Sequence, residues 1–181
     1  MDKLPCIILA GGKGSRFGTV LKFLINICGR PLLIELINDL KNICKYIVIA
    51  LSKRTTRVSH ICREDYLLDC IETSGEDYVK DLNILLKIFP KPLLVTAADI
   101  YVIYKNVLED FIRRAIEMRE DIITLALNVN GTEKLVGIAL FKNAQGSWRN
   151  ISYPESYLLD IDDFDDLKKV KNMVICRNYN R

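Results

Sequence analysis

The residues best suited to chemistry lie in one run, Leu9-Ala10-Gly11-Gly12-Lys13-Gly14-Ser15-Arg16-Phe17-Gly18-Thr19-Val20-Leu21-Lys22. Its glycines let a backbone turn tightly and aim amide N–H groups at an anion. Lys13, Arg16 and Lys22 bring cations to the same segment. Amides and cations together suit a polyphosphate. Two familiar phosphate motifs do not fit. The P-loop requires Ser or Thr after Gly-Lys, whereas Lys13 is followed by Gly14. The dinucleotide fingerprint fails because Phe17 occupies its third glycine position. Taken by itself, the run is equally well a flexible connection with solvated charges.

A second candidate is Asp99, at the end of Thr96-Ala97-Ala98-Asp99. A carboxylate following an apolar run needs a partner. A magnesium ion is the natural one, because it takes one or two carboxylates and completes its shell with phosphate oxygens. The alternative is an N-cap for a helix near Tyr104; the neighbouring glycine loop favours the metal. A third signal is acidic: Leu159-Asp160-Ile161-Asp162-Asp163-Phe164-Asp165-Asp166-Leu167. Here Asp162 or Asp163 is expected to cap the following helix, with Asp165 and Asp166 in its first turn.

Several elements must position these groups. Cys6–Ala10 is apolar throughout, as a strand buried on both faces is, and Tyr46–Leu51 and Leu93–Ala97 read as strands of the same kind. Amphipathic helices are predicted over Leu32–Ile43, Tyr78–Phe89 and Val107–Met118. Strand and helix in alternation predict an α/β fold, Rossmann-like, with a mostly parallel sheet and helices on both faces. Further on, strands are predicted over Ile122–Leu127 and Val136–Phe141, around a turn at Asn130-Gly131. A short helix over Asp163–Lys171 and a last strand over Met173–Cys176 follow. No linker or internal repeat divides the chain, so one domain is expected over residues 1–181. Its first part, to about residue 105, would bind the polyphosphate and the remainder a second substrate. In such sheets ligands bind at the carboxyl ends of strands.

Composition narrows the classes. Half of the 181 residues are apolar and the net charge is +3. That balance argues against nucleic acid as a partner, and no apolar run is long enough to predict a membrane span. The six cysteines form no C-x-x-C pair, and several sit in apolar runs. They are expected to be reduced, buried thiols, and the chain cytoplasmic.

The Ala-Gly-Gly-x-Gly-x-Arg-x-Gly loop with its downstream lysine resembles the signature of nucleotidyltransferases of the molybdenum-cofactor guanylyltransferase type. Gly29-Arg30-Pro31-Leu32 resembles the same superfamily. The segment Glu72-Thr73-Ser74-Gly75-Glu76-Asp77-Tyr78-Val79-Lys80-Asp81-Leu82-Asn83 is similar to the archaeal-type GTP:adenosylcobinamide-phosphate guanylyltransferases. The resemblance implies transfer of GMP from GTP to a phosphorylated small molecule, adenosylcobinamide phosphate, in cobalamin biosynthesis. It implies that Leu9, Ala10, Gly11, Gly12, Lys13 and Gly14 wrap the nucleotide, and that Arg16 holds the β- and γ-phosphates. Lys22 would neutralise the α-phosphate. Ser52 and Thr73-Ser74-Gly75 would line the guanosine. Asp160 would join Asp99 as a magnesium ligand. The chain departs from the commonest pattern at Thr19 and Phe23. A homodimer is compatible with this reading.

Nucleotidyl transfer to a phosphate monoester needs no general base, because the nucleophile is already ionised near neutral pH. It needs cations that offset repulsion between two anions. Molybdopterin or a sugar phosphate is the alternative acceptor. More distant is an NADP-dependent reductase, for which Tyr101 and Lys105 supply a Tyr-x-x-x-Lys pair and Lys53-Arg54 a site for a 2′-phosphate. A non-catalytic nucleotide-binding module would have no use for Arg16, Lys22 and Asp99 together.

Overall fold

The structure, a computed structural model, describes residues 2–12, 21–63 and 65–173, with the backbone alone for the last three of these. In chain order the strands are β1 (Leu4–Leu9), β2 (Asn26–Ile27), β3 (Arg30–Pro31), β4 (Cys44–Ser52), β5 (Leu68–Thr73), β6 (Leu93–Ala97), β7 (Ile100–Val102), β8 (Ile122–Val129), β9 (Thr132–Phe141), β10 (Trp148–Pro154) and β11 (Leu158–Asp160). The helices are α1 (Leu32–Leu40), α2 (Tyr78–Ile88), α3 (Val107–Glu117) and α4 (Phe164–Met173).

Seven strands form one sheet in the order β10-β8-β9-β6-β1-β4-β5. β6, β1, β4 and β5 run parallel, and β9 is antiparallel to both β6 and β8. The period of two along β1 sorts its side chains to opposite faces. Leu4, Cys6 and Ile8 join the larger apolar cluster with Leu33, Leu36 and Ile37 of α1 and Leu108, Phe111 and Ile112 of α3. Ile7 points the other way, to Leu85 and Leu86 of α2. Each side chain so buried contributes about 1.5–3 kcal/mol relative to exposure. The apolar strands are therefore central because both of their faces are covered.

A third cluster, of Ile27, Leu32, Tyr101, Leu159, Ile161 and Val170, lies under the two-stranded β7–β11 pair and α4. The β8–β9 hairpin turns at Asn130 and Gly131, both with positive φ, as a two-residue loop of this kind requires. The expected last strand is not formed at Met173, which ends α4; residues 174–176 lie outside the described residues. Strands β5 and β10 were not legible in the sequence.

The cysteines correct the sequence reading. Cys6 is disulfide-bonded to Cys44, and Cys62 to Cys70. Cys28 is disulfide-bonded as well. The reason is spatial. Cys6 and Cys44 lie on neighbouring parallel strands with Cα atoms 5.8 Å apart, a separation that suits a bridge and that no spacing in sequence reveals.

Candidate active site

The carboxyl ends of β1, β4 and β6 meet at one edge of the sheet. The Ala10 amide donates to Ala50 O (2.8 Å) and the Ala98 amide to Leu9 O (3.2 Å), which lashes the exit of β1 between the two neighbouring strands. Gly11 and Gly12 follow immediately. Lys13, Gly14 and Arg16 lie outside the described residues. Ser52 closes β4 and is fully buried under the loops. Its amide donates to Thr55 Oγ1 (2.8 Å), which turns the chain away at the strand end.

Opposite Gly11 stands the Thr73–Glu76 loop. Gly75 has φ +65°, and a Cβ there would lie 2.3 Å from Ser52 Cβ and 2.8 Å from Gly11 O. Only glycine lets these three segments close on one another. The loop is held from below by Asp81, a buried carboxylate in the first turn of α2. It accepts from the Ser74 amide (3.1 Å), the Ser74 hydroxyl (2.7 Å) and the Gly75 amide (2.8 Å). Arg54 closes the other flank, donating to Gly75 O (3.3 Å) and to Glu76 (2.8 Å). Asp77 caps α2 through the Lys80 amide at 2.9 Å. Asp81 was part of the segment that carried the family resemblance, yet no role for it was legible. A carboxylate in a first helical turn ordinarily reads as helix-dipole compensation.

Asp99 occupies the turn between β6 and β7. It is not a helix cap, because α3 starts only at Val107 and follows Asn106. Antiparallel pairing of Asp160 with Ile100, and an Ile161 amide donating to Asp99 O (3.0 Å), bring the acidic segment beside it. Asp99, Asp160 and Asp162 each offer a carboxylate oxygen within 4.8 Å of the others. Asp162, expected as a cap, is thus in the cluster. Asp163 is the cap, accepting from the Asp165 amide (2.9 Å) and the Asp166 amide (3.0 Å).

Lys22 enters this cluster from a 3-10 turn over Lys22–Leu24. Its ammonium pairs with Asp99, lies 3.5 Å from Asp162 Oδ1 and donates to Ile161 O at 3.3 Å. Burial pushes its pKa down, but the carboxylates of Asp99, Asp162 and Asp160 outweigh this and hold it above the ordinary lysine value. Lys134 of β9 approaches from the other side, with Nζ 3.6 Å from Asp160 Oδ2. Burial, then the Asp99 and Asp162 charges, push the Asp160 carboxyl up to about 7. Asp99 Oδ1 is buried, and among the described residues it has no hydrogen-bond partner.

A divalent cation fits this arrangement. Hard oxygen donors converge, one of them is buried without a partner among the described residues, and mutual repulsion opposes ionisation of another.

The reductase pair lies close together but is engaged otherwise. Lys105 Nζ sits 5.9 Å from the centroid of the Tyr101 ring, while its hydrogen bonds go to Asp39 (2.7 and 3.0 Å) and Tyr101 is buried in the third cluster. Of the aromatics Trp148, Tyr153 and Tyr157 in the second half of the chain, Tyr153 is buried and donates to Asp110 (2.8 Å). Tyr157 stacks at 4.7 Å on Tyr104. Trp148 alone among the three is exposed, its indole N–H donating to Thr124 (2.8 Å). Among the described residues no helix is long and apolar enough to cross a membrane.

The comparisons with known proteins agree with this geometry. The chain is 36% identical over 102 residues to the adenosylcobinamide-phosphate guanylyltransferase of Methanocaldococcus jannaschii, over 54% of this chain and 52% of that one. The match thus spans about half the length of that relative. In structure it resembles a putative glucose-1-phosphate thymidylyltransferase from Bacillus anthracis, with a TM-score of 0.78 at 13% identity, covering 98% of both chains. It also resembles HddC from Yersinia pseudotuberculosis complexed with GMP-PN, with a TM-score of 0.70 at 16% identity, covering 93% of this chain and 98% of that one. At such identities the structural likenesses establish the fold. The model of the MobA-like NTP transferase domain matches residues 6–146, most of the chain, and the chain belongs to that family.

Proposed function

We propose that the chain transfers GMP from GTP to adenosylcobinamide phosphate and releases pyrophosphate. The observation that carries this reading is the meeting of Lys22 with Asp99, Asp160 and Asp162 at the strand ends that flank the glycine loop. The named relative supports the choice of nucleotide and acceptor.

In this reading Gly11 to Gly14 wrap the triphosphate and Arg16 holds its β- and γ-phosphates. Lys22 sets its ammonium against the α-phosphate as charge builds there. Thr73, Ser74 and Gly75, held rigid by Asp81, border the guanosine above Ser52. Asp99 and Asp160, with Asp162, would hold Mg2+. The ion supplies positive charge against phosphate oxygens. An oxygen of the acceptor phosphate forms the new bond to the α-phosphorus, and the bond to the bridging oxygen of pyrophosphate breaks. The nucleophile is an anion already, so the site has no need of a histidine. A cytoplasmic location, where GTP is at hand, and a homodimer are both compatible with this reading.

Two measurements test this. Calorimetry with GTP, ATP and CTP should find GTP bound most tightly, since a site that hydrogen-bonds the guanine edge leaves polar groups unpaired against adenine. Incubation of GTP with adenosylcobinamide phosphate should give a product heavier by one GMP unit, with pyrophosphate released. Equal affinities would end the guanine assignment, and absence of the product would end the acceptor assignment.

A further inference from the structure

We propose that Lys134 is the residue that receives the phosphate group of the acceptor. The proposal rests on the nucleotidyl-transfer reading above and gives a role to a charge that reading leaves unused.

The topology is the first support. The order β9-β6-β1 puts the Asp99 turn, at the end of β6, between the glycine loop after β1 and the strand β9. Pairing of β6 with β9 ends at Thr96 opposite Ile138, whereas β9 begins at Thr132. The first residues of β9 therefore run on past the end of β6 and flank the carboxylates. Displacement at phosphorus brings the nucleophile in opposite the leaving group. With the triphosphate on the glycine loop, pyrophosphate departs on the β1 side. The entering phosphate then comes from the β9 side, where Lys134 stands.

Charge is the second support. Two anions must approach each other, so a cation is needed for the entering one as well as for the nucleotide. Among the described residues, Lys22 and Lys134 are the ammonium groups that contact the carboxylate cluster. Lys22 is tied to Asp99, Asp162 and Ile161 O. Lys134 has a looser hold: a single ion pair at 3.6 Å, on a side chain that is 49% exposed. It can leave Asp160 for a dianion of higher charge without losing a buried hydrogen bond. A phosphate monoester is that dianion. The bond that forms joins its oxygen to the α-phosphorus, the bond to the bridging oxygen breaks with its electron pair leaving on pyrophosphate, and Lys134 keeps its proton throughout.

The test uses the whole chain as wild type, Lys134→Ala and Lys134→Arg. In the first arm, each protein is saturated with Mg2+ and a non-hydrolysable GTP analogue, and phenyl phosphate is titrated in by 31P NMR. Wild type should bind this simple monoester. Lys134→Ala should weaken its binding at least five-fold, and Lys134→Arg should recover most of the loss. In the second arm, turnover of adenosylcobinamide phosphate should show KM for this acceptor raised at least ten-fold in Lys134→Ala, with the Kd of GTP within two-fold of wild type. Equal phenyl phosphate binding by wild type and Lys134→Ala overturns the proposal whatever the acceptor is. A change confined to the Mg2+ activation profile overturns it too, because Lys134 then serves only to neutralise Asp160. Normal discrimination in the first arm with no product in the second upholds Lys134 and removes adenosylcobinamide phosphate.

Discussion

In the proposed reaction Asp99 and Lys22 are the central pair, and each should fail differently. Replacing Asp99 with Asn removes a carboxylate charge and leaves the Lys22 ammonium beside an amide. Activity should vanish while the fold persists, because the turn is fixed by main-chain bonds to Leu9 and Ile161. Lys22→Ala should lower kcat about a hundredfold or more and change nucleotide affinity far less, since its charge matters most as the transition state forms. Steady-state kinetics beside calorimetry separate the two. A Lys22→Ala enzyme with wild-type kcat and weakened GTP binding would make Lys22 a ground-state contact. Asp160 carries a pH signature. Its carboxyl is pushed up to about 7 in the folded chain, chiefly by burial, from an ordinary value of 3.8. The folded state therefore holds this proton more tightly than the unfolded one. The contribution is present below the unfolded value and is lost as pH rises through the folded one. Metal-free protein should lose stability between about pH 4 and pH 7, and Mg2+ should restore it at the upper end. Lys22 stays charged throughout that window and does not blur the reading. Denaturation at several pH values, with and without Mg2+ and compared with Asp160→Asn, checks this; a flat wild-type profile would contradict it.

At the scale of elements, the two loops that face each other across the sheet edge depend on one contact. Gly75 combines φ +65° with a Cβ position inside Ser52 and Gly11. Gly131, at the hairpin turn, has φ +82° but open space around it. Gly131→Ala should therefore lose only the backbone term, about 1 kcal/mol. Gly75→Ala should lose more, and should weaken GTP binding by moving Gly11. Similar losses for both variants, with unchanged binding, would mean that the loops close without touching. The sequence made the central strands and three helices legible because each buries a whole face or stripe with the right period. β5 escaped notice because Leu68-Asp69-Cys70-Ile71-Glu72-Thr73 alternates imperfectly at an edge. β10 carries a polar outer face, with Asn150 and Ser152 bonded to Glu133, and so looks like a loop. Asp99 was legible because a carboxylate ending an apolar run stands out. Asp162 and Lys134 were not, since their meeting with Asp160 depends on the β7–β11 pairing and the overrun of β9, which no local pattern encodes.

For the molecule as a whole, the disulfides change what holds the chain together. Closing the 38-residue span between Cys6 and Cys44 lowers the entropy of the unfolded chain by an amount equivalent to about 4 kcal/mol, and the 8-residue span between Cys62 and Cys70 by about 2.5 kcal/mol. A reductant should accordingly lower the denaturation midpoint without altering the site chemistry, and an unchanged midpoint would mean that the bridges are absent in solution. Inside cells, bridges of this kind are characteristic of hyperthermophiles. The first bridge also redraws the covalent path. The peptide run from Cys6 to Cys44 contains the glycine loop, Lys22 and α1, and its two ends are joined a second time through sulfur. The segment proposed to hold the nucleotide is thus a closed ring, not a stretch of open thread. A protease that cuts after Lys13, Arg16, Lys22 or Lys41 opens the ring but does not divide the molecule. The nicked protein should migrate as one chain until a thiol is added, and only then as two.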